Sequence, residues 1–299
     1  MADRWDLLAT SFARSQRAQN RSEKTVTIYA EAIGRLGEWA LGEGLHDPAD
    51  LKRAHLEGFM LAMFERGLAP ATVNQRYRAL QQWFKWLEAE EEIAADPMRH
   101  MSPPSIPERL VPVLTDDQLT ALFAACAGRD FVSRRDEALL RVFHDTGCRR
   151  AEAAGMLLEE VALDDRVVLV IGKGDRQRML PFGTKTAAAL DRYIRARDRQ
   201  RTSDLQWLWL SEKGRGRFTA DGIAQMLKRR GMQAGIPGLH PHMLRHTWAS
   251  DWMQSGGAET DLMALAGWRS RQMLNRYGAS AAALRARQAH QKMGRGDRV

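Results

Sequence analysis

Five of the chain's ten prolines, Pro97, Pro103, Pro104, Pro107 and Pro112, fall in one short window. Proline fixes φ and has no amide hydrogen to donate, so neither a helix interior nor a central strand can run through such a stretch. At 299 residues the chain also exceeds what one compact core usually organises. The window predicts a linker from about Asp96 to Pro112, with a boundary near residue 105. One folded region then covers 1–100, a proline-rich linker 101–112, and a second region 113–299.

The first region has a helical pattern. Ile28, Ala32, Leu36, Trp39 and Ala40 share one face, behind a Ser22 cap. Val73, Tyr77, Leu80, Phe84 and Leu87 step by three and four, which marks a buried stripe. The polar face opposite holds Asn74, Gln75, Arg78, Gln81, Gln82 and Lys85. Amide and basic side chains of this kind can meet base edges and phosphates in a major groove, or can be plain solvated surface.

Past the linker, Thr115-Asp116-Asp117-Gln118 is a capping box that opens a helix. A helix through Ala138–Phe143 leads to Thr146-Gly147, and another carries Arg149–Leu158. The period then changes. Val167–Ile171, Gly172-Lys173-Gly174-Asp175 and Arg178-Met179-Leu180-Pro181 predict strand, turn and strand. The chain is mostly helical again from Thr184, with a short strand expected at Trp207–Leu210.

Charge separates the two regions. The net is +8, with a pI near 9.9. Residues 1–100 carry 13 Lys/Arg against 15 Asp/Glu, and residues 101–299 carry 32 against 22. The basic excess suits a polyanionic partner, although surface charge alone would also account for it. Cys126 and Cys148 are the only cysteines, too few for a disulfide framework or a CxxC zinc site. Met1–Arg21 lacks the apolar core of a signal peptide, and Val167–Ile171 is far too short to span a bilayer. A reduced, cytoplasmic setting is expected, with no membrane contact.

The chemistry-bearing residues lie in the basic region. Arg149 follows a Thr-Gly turn at a helix start, where free amides also favour an anion. Glu152, three residues on, could orient its guanidinium, or form an ordinary surface pair worth a few tenths of a kcal/mol. In His240-Pro241-His242-Met243-Leu244-Arg245-His246, a helical turn would aim His242 and Arg245 at one point. Arginine offers a planar fork to phosphate oxygens, and histidine can donate or relay a proton near neutrality. His240 and His246 suit capping or packing. Lys173 lies at the hairpin tip, where a lysine is usually solvated but could reach a substrate oxygen. Trp268 follows Gly267, and Tyr277 follows Arg276. A free phenol has a pKa of about 10, so Tyr277 needs nearby positive charge or a proton acceptor to attack.

Each piece alone has an ordinary structural explanation, but the ordered set is specific. Thr-Gly-x-Arg, Gly-Lys-Gly in a hairpin, His-x-x-Arg-His, Gly-Trp, and a tyrosine nine residues after the tryptophan strongly resemble the tyrosine recombinase (phage integrase) family. The helical region begins almost at once, so no separate arm-binding domain is expected. That resembles the compact Xer-like or small-integrase plan. The resemblance implies a mainly α fold with a small antiparallel β-sheet in the C-terminal domain. A helical core-binding (SAM-like) domain would cover 1–100, and a mixed α/β catalytic domain 113–299.

It also implies roles. Arg149 and Arg245 match the phosphate-clamping arginines, Lys173 the hairpin general acid, His242 the histidine of the His-x-x-Arg box, and Tyr277 the nucleophile. Trp268 stands where many members have histidine. An indole only donates, so Trp268 should bind and pack rather than shuttle a proton. Asn74, Gln75, Arg78 and Lys85 become DNA-binding candidates.

The implied activity is site-specific recombination through a 3′-phosphotyrosine, for integration, excision or resolution, with no cofactor, ATP or metal. The implied partners are double-stranded DNA recombination sites and a homotetramer on DNA, a dimer per site, with an accessory or second recombinase as a further partner. The setting would be the cytoplasmic nucleoid. Ser280–Met293 has the pattern of an Ala/Arg/Gln-rich helix, with Ala281, Leu284 and Gln288 forming a stripe for docking on a neighbouring protomer. The alternatives are strand relaxation of the type IB topoisomerase kind and a non-catalytic DNA-binding regulator.

Overall fold

The computed structural model describes residues 4–107, 112–172, 176–271, 274, 290–291 and 293–294. The chain divides into two compact units, Met1–Arg109 and Leu110–Val299.

The first unit is helical: α1 (Arg4–Ala18), α2 (Glu23–Gly42), α3 (Arg53–Glu65) and α4 (Pro70–Ala89). Ser22 caps α2, its side chain accepting from the Thr25 amide. The stripe Val73, Tyr77, Leu80, Phe84 and Leu87 is buried, together with Trp5, Phe12, Leu36 and Trp83. The Trp5 and Trp83 rings lie 5.5 Å apart. The start of the proline-rich stretch is tied down rather than free. The Tyr77 hydroxyl donates to the Met101 carbonyl at 2.7 Å, and the Asn74 amide donates to Pro104 at 2.7 Å.

The second unit holds α5 (Asp116–Ala124), α6 (Phe131–Thr146), α7 (Arg150–Gly155), β1 (Val161–Ala162), β2 (Val167–Gly172), β3 (Arg176–Pro181), α8 (Thr184–Arg197), α9 (Ala220–Gln233), α10 (Pro241–Gln254) and α11 (Glu259–Ala266). Thr115 caps α5 in the expected box, exchanging bonds with Gln118. The strands form one antiparallel sheet in the order β1-β2-β3, with Gly172 opposite Arg176 and Val167 opposite Pro181. The fold is thus mostly helical with one small antiparallel sheet.

Two local expectations are corrected. Trp207–Leu210 forms no ladder strand, only single bridges to Leu157 and Arg217. Buried side chains take several of its backbone groups. Arg197 donates to the carbonyls of Ser203, Leu205, Trp207 and Leu208. The Tyr193 hydroxyl donates to Leu208 and accepts from the Leu210 amide. The helix after Arg149 stops at Gly155 rather than Leu158, because the next residues turn extended and pair sideways. Leu158 N–H donates to Gln206, and Leu208 N–H to Met156.

Helix α10 is enclosed: every residue from Met243 to Ser250 is buried, on all faces. The Leu114 amide donates to Thr247 Oγ1 at 2.9 Å, fastening the start of the unit to this helix. No helix among the described residues is long and apolar enough to cross a membrane.

Candidate active site

Helix α6 ends at Gly147 in the left-handed region, φ +58°, which glycine adopts without a Cβ penalty. A Cβ there would also lie 2.1 Å from the Trp248 ring, so α10 presses directly on the turn. Thr146 Oγ1 donates to Val142 and accepts from the Cys148 amide, closing the turn from the other side.

That turn delivers Arg149 as the N-cap of α7. Its amide donates to Glu152 Oε2 at 2.6 Å and its Nη1 to Glu152 Oε1 at 2.9 Å. Glu152 is only 4% exposed, whereas Arg149 keeps part of its guanidinium toward solvent. The pair is therefore an oriented clamp with a buried base rather than a loose surface contact. Burial on its own would raise the Glu152 carboxyl. Hydrogen bonds from Arg178 and from the Arg149 amide outweigh it, and Glu152 sits below its ordinary value.

Arg178 is the partner that motif spacing does not pick out. From β3 it grips Glu152 with Nη1 at 2.9 Å and Nη2 at 2.7 Å, and its Nε donates to the Leu265 carbonyl at 2.8 Å. Its signal in the sequence is an inverted strand polarity. Arg178 lies opposite the buried Val170, while its neighbour Met179 is 58% exposed.

Arg245 is 2% exposed, on the enclosed helix α10. Its Nη1 donates to Gly147 O and its Nη2 to Ala266 O, both at 2.6 Å. Ala266 ends α11, where unsatisfied carbonyls and the helix dipole favour a cation. Gly267 follows at φ +64° and turns the chain to Trp268. Trp268 is buried with Trp248, Leu262 and Leu274, and Arg245 Cζ lies 5.4 Å from the centre of its ring. The structure thus brings Arg149, Arg245 and Trp268 together around the Gly147 and Gly267 turns.

His242 sits at the exposed start of α10. Partial desolvation first, then His240, Arg245, Arg149 and Arg150, push its imidazole below the ordinary value. His240 caps α10, its Nδ1 accepting from the Met243 amide at 3.2 Å. His246 is buried within the helix, and desolvation pushes it down to about 4. The capping and packing readings of these two histidines hold.

Lys173 and Tyr277 lie outside the described residues, as does most of the C-terminal stretch expected to dock, Ser280–Met293. In the first unit, Gln75, Arg78 and Lys85 share an exposed face of α4. Asn74 does not join them. It is 6% exposed, its amide donates to Pro104, and its Oδ1 accepts from Arg78 Nε at 2.9 Å. Its place on a helical wheel borders the buried stripe, and the returning chain covers it. Among the described residues no group of three or more His, Cys, Asp or Glu is placed to hold a metal ion.

The phage integrase family model matches residues 112–283, and the phage integrase N-terminal SAM-like domain matches residues 8–93. The chain is 31% identical over 237 residues to the tyrosine recombinase XerC of Xanthomonas campestris pv. campestris (strain B100), covering 79% of this chain and 72% of that one. It is 29% identical over 257 residues to the tyrosine recombinase XerD of Bifidobacterium longum (strain NCC 2705), covering 82% and 83%. Its fold is similar to that of the XerH site-specific recombinase bound to a palindromic difH substrate, with a TM-score of 0.75, 17% identity, and 94% and 82% coverage. It is also similar to the Tn1549 transposon integrase in complex with transposon right-end DNA, with a TM-score of 0.74, 20% identity, and 94% and 99% coverage.

Proposed function

The chain belongs to the phage integrase family of tyrosine recombinases and is a site-specific DNA recombinase of Xer-like type, and we propose that it cuts and rejoins DNA with Tyr277 as nucleophile. In this reading the phenolic oxygen bonds to the scissile phosphorus as the bond to the 5′-oxygen breaks. A 3′-phosphotyrosyl enzyme and a free 5′-hydroxyl result. Arg149 and Arg245 hold the nonbridging oxygens, and Trp268 donates and packs beside them. Lys173 protonates the departing 5′-oxygen, and His242 assists proton movement at the tyrosine. A 5′-hydroxyl of the partner strand then reverses the step. One phosphoester replaces another, so the exchange needs no energy from a nucleotide.

The observation that carries this reading is the tethering of the two arginines. Arg149 is oriented by Glu152, and Arg245 is held between Gly147 and Ala266. Such fixed cations are set for charge that develops in a transition state, with little reorganisation left to do. Its partner is DNA. Gln75, Arg78 and Lys85 are proposed to meet the duplex from the first unit, with Asn74 acting indirectly by holding Arg78. We further propose a homotetramer on DNA, a dimer per site, with Ser280–Met293 docking between protomers and a second recombinase or accessory protein able to join. Residues 1–100 would act as the core-binding domain, 101–112 as linker and 113–299 as the catalytic domain, in the cytoplasmic nucleoid.

The test is covalent capture. Nicked duplexes with a randomised site are mixed with the protein, and DNA that resists denaturing detergent is sequenced. Wild-type protein should retain a defined site, and Tyr277→Phe should retain none. An adduct undiminished in Tyr277→Phe contradicts the assignment.

A further inference from the structure

Strand β3 carries an arginine where its pattern calls for an apolar residue. Leu180 is buried and the Arg178 side chain is only 14% exposed while Met179 faces out, so withdrawing Arg178 from water has a cost that needs an explanation beyond folding. All three of its donor nitrogens are used, two on Glu152 and one on Leu265 O. Two glycines close on the same guanidinium. A Cβ on Gly172 would lie 3.3 Å from Nη1, and one on Gly267 would lie 3.4 Å from it. Gly172 is the chain neighbour of Lys173, and Gly267 that of Trp268. One side chain on the hairpin is therefore fastened to α7, to the end of α11 and against the strand that leads into Lys173.

We infer that Arg178 is a positioning residue for the hairpin, fixing β3 against Glu152 and the last turn of α11 and so setting where Lys173 delivers its proton. The inference rests on the proposed role of Lys173 as proton donor to the leaving 5′-oxygen. It separates the two arginines bound to Glu152. Without Arg178, Arg149 keeps its own bonds to Glu152, so the phosphate clamp persists while the hairpin loses its anchor.

Leaving-group chemistry tests this on the full chain with the duplex recovered by covalent capture. One duplex has the natural oxygen at the scissile 5′ position, and a second has sulfur there. A thiol has a pKa of about 8.5, so the sulfur departs as thiolate and needs no proton, whereas an alkoxide does. Arg178→Met and Arg178→Lys should slow single-turnover cleavage of the oxygen duplex by on the order of a hundredfold. Both should regain most of that loss on the sulfur duplex, as Lys173→Ala should. Arg149→Ala and Glu152→Gln should stay slow on both, because their defect is in the clamp.

If Lys173→Ala is rescued and the Arg178 variants are not, Arg178 does not act through the hairpin and the inference fails alone. If Lys173→Ala is not rescued, its role as the acid fails and the inference fails with it. Wild-type rates on the oxygen duplex for either Arg178 variant would also overturn it. Circular dichroism and DNA affinity of each variant show whether a slow protein is a folded one, and Arg178→Lys keeps the charge should Arg178→Met not fold.

Discussion

Arg245 reaches its place through two backbone carbonyls, Gly147 O and Ala266 O, each 2.6 Å away. Only a planar fork can serve both carbonyls at once, and in the proposed function the same fork meets a phosphate oxygen. Arg245→Lys should therefore fail nearly as fully as Arg245→Ala, losing about 3–4 kcal/mol of transition-state stabilisation in single-turnover cleavage. A lysine variant close to wild type would show that charge alone suffices. A second prediction at this scale concerns acid stability. His246 is held neutral down to about 4, and burial also lowers His144. Above the unfolded value of about 6.5 both states are neutral. As pH falls below it, the unfolded chain takes up protons that the folded one refuses, so stability drops toward pH 4. Asp251, pushed up to about 6 by burial and by Asp116, acts oppositely over part of this range. The difference between wild type and His246→Phe isolates the histidine: urea midpoints should converge as pH falls from 7 to 5. A gap independent of pH would contradict a neutral buried His246.

At the scale of elements, helix ends position the site. Helices α6 and α11 both stop at a left-handed glycine, and each glycine precedes a site residue by one or two positions. Gly147→Ala meets two obstacles, a strained φ and a Cβ driven into Trp248. The backbone strain alone costs on the order of 1–3 kcal/mol, and the Trp248 ring must also move. We expect a fall in Tm together with a loss of cleavage larger than the stability loss explains, since Arg245 bonds the same residue. A normal cleavage rate in a folded Gly147→Ala protein would mean that the turn does not position the site.

These elements also show what was legible. The caps at Ser22 and Thr115, the Val73–Leu87 stripe and the hairpin pairing follow from local pattern, and the structure has them. Arg149, His242 and Arg245 are legible as motifs. Glu152 as the partner of Arg149 is legible from spacing as well. The tethering of Arg245 is not, because it runs through backbone carbonyls of Gly147 and Ala266, which leave no mark on residue type. Arg178 was visible only as a polarity inversion, and Asn74 was misplaced because the chain that covers it comes from thirty residues away. The Trp207–Leu210 segment has a strand's composition, yet Arg197 and Tyr193 take the Trp207 and Leu208 carbonyls and the Leu210 amide.

For the whole molecule, charge is the controlling quantity. The basic excess lies in residues 101–299, where 32 Lys/Arg face 22 Asp/Glu. DNA affinity should fall with a slope of roughly 0.9 log unit per log unit of salt for each phosphate neutralised. Lys85→Ala should lower that slope by about one such unit and leave the cleavage rate of bound DNA unchanged. Affinity flat between 50 and 200 mM salt, a range over which phosphate-led binding typically falls about 10³- to 10⁵-fold, would exclude a phosphate-led interface.

The central claim is that Tyr277 becomes joined to a 3′-phosphate, and the trapped adduct can be read directly. Trypsin cleaves after Arg276 and Arg285, so the nucleotide-bearing fragment should be Tyr277–Arg285. Mass spectrometry of the nuclease- and trypsin-digested adduct should find that peptide carrying its nucleotide through the 3′-phosphate, with a free 5′-hydroxyl on the opposite DNA end. A nucleotide on any other residue, or linkage through a 5′-phosphate, would contradict the account.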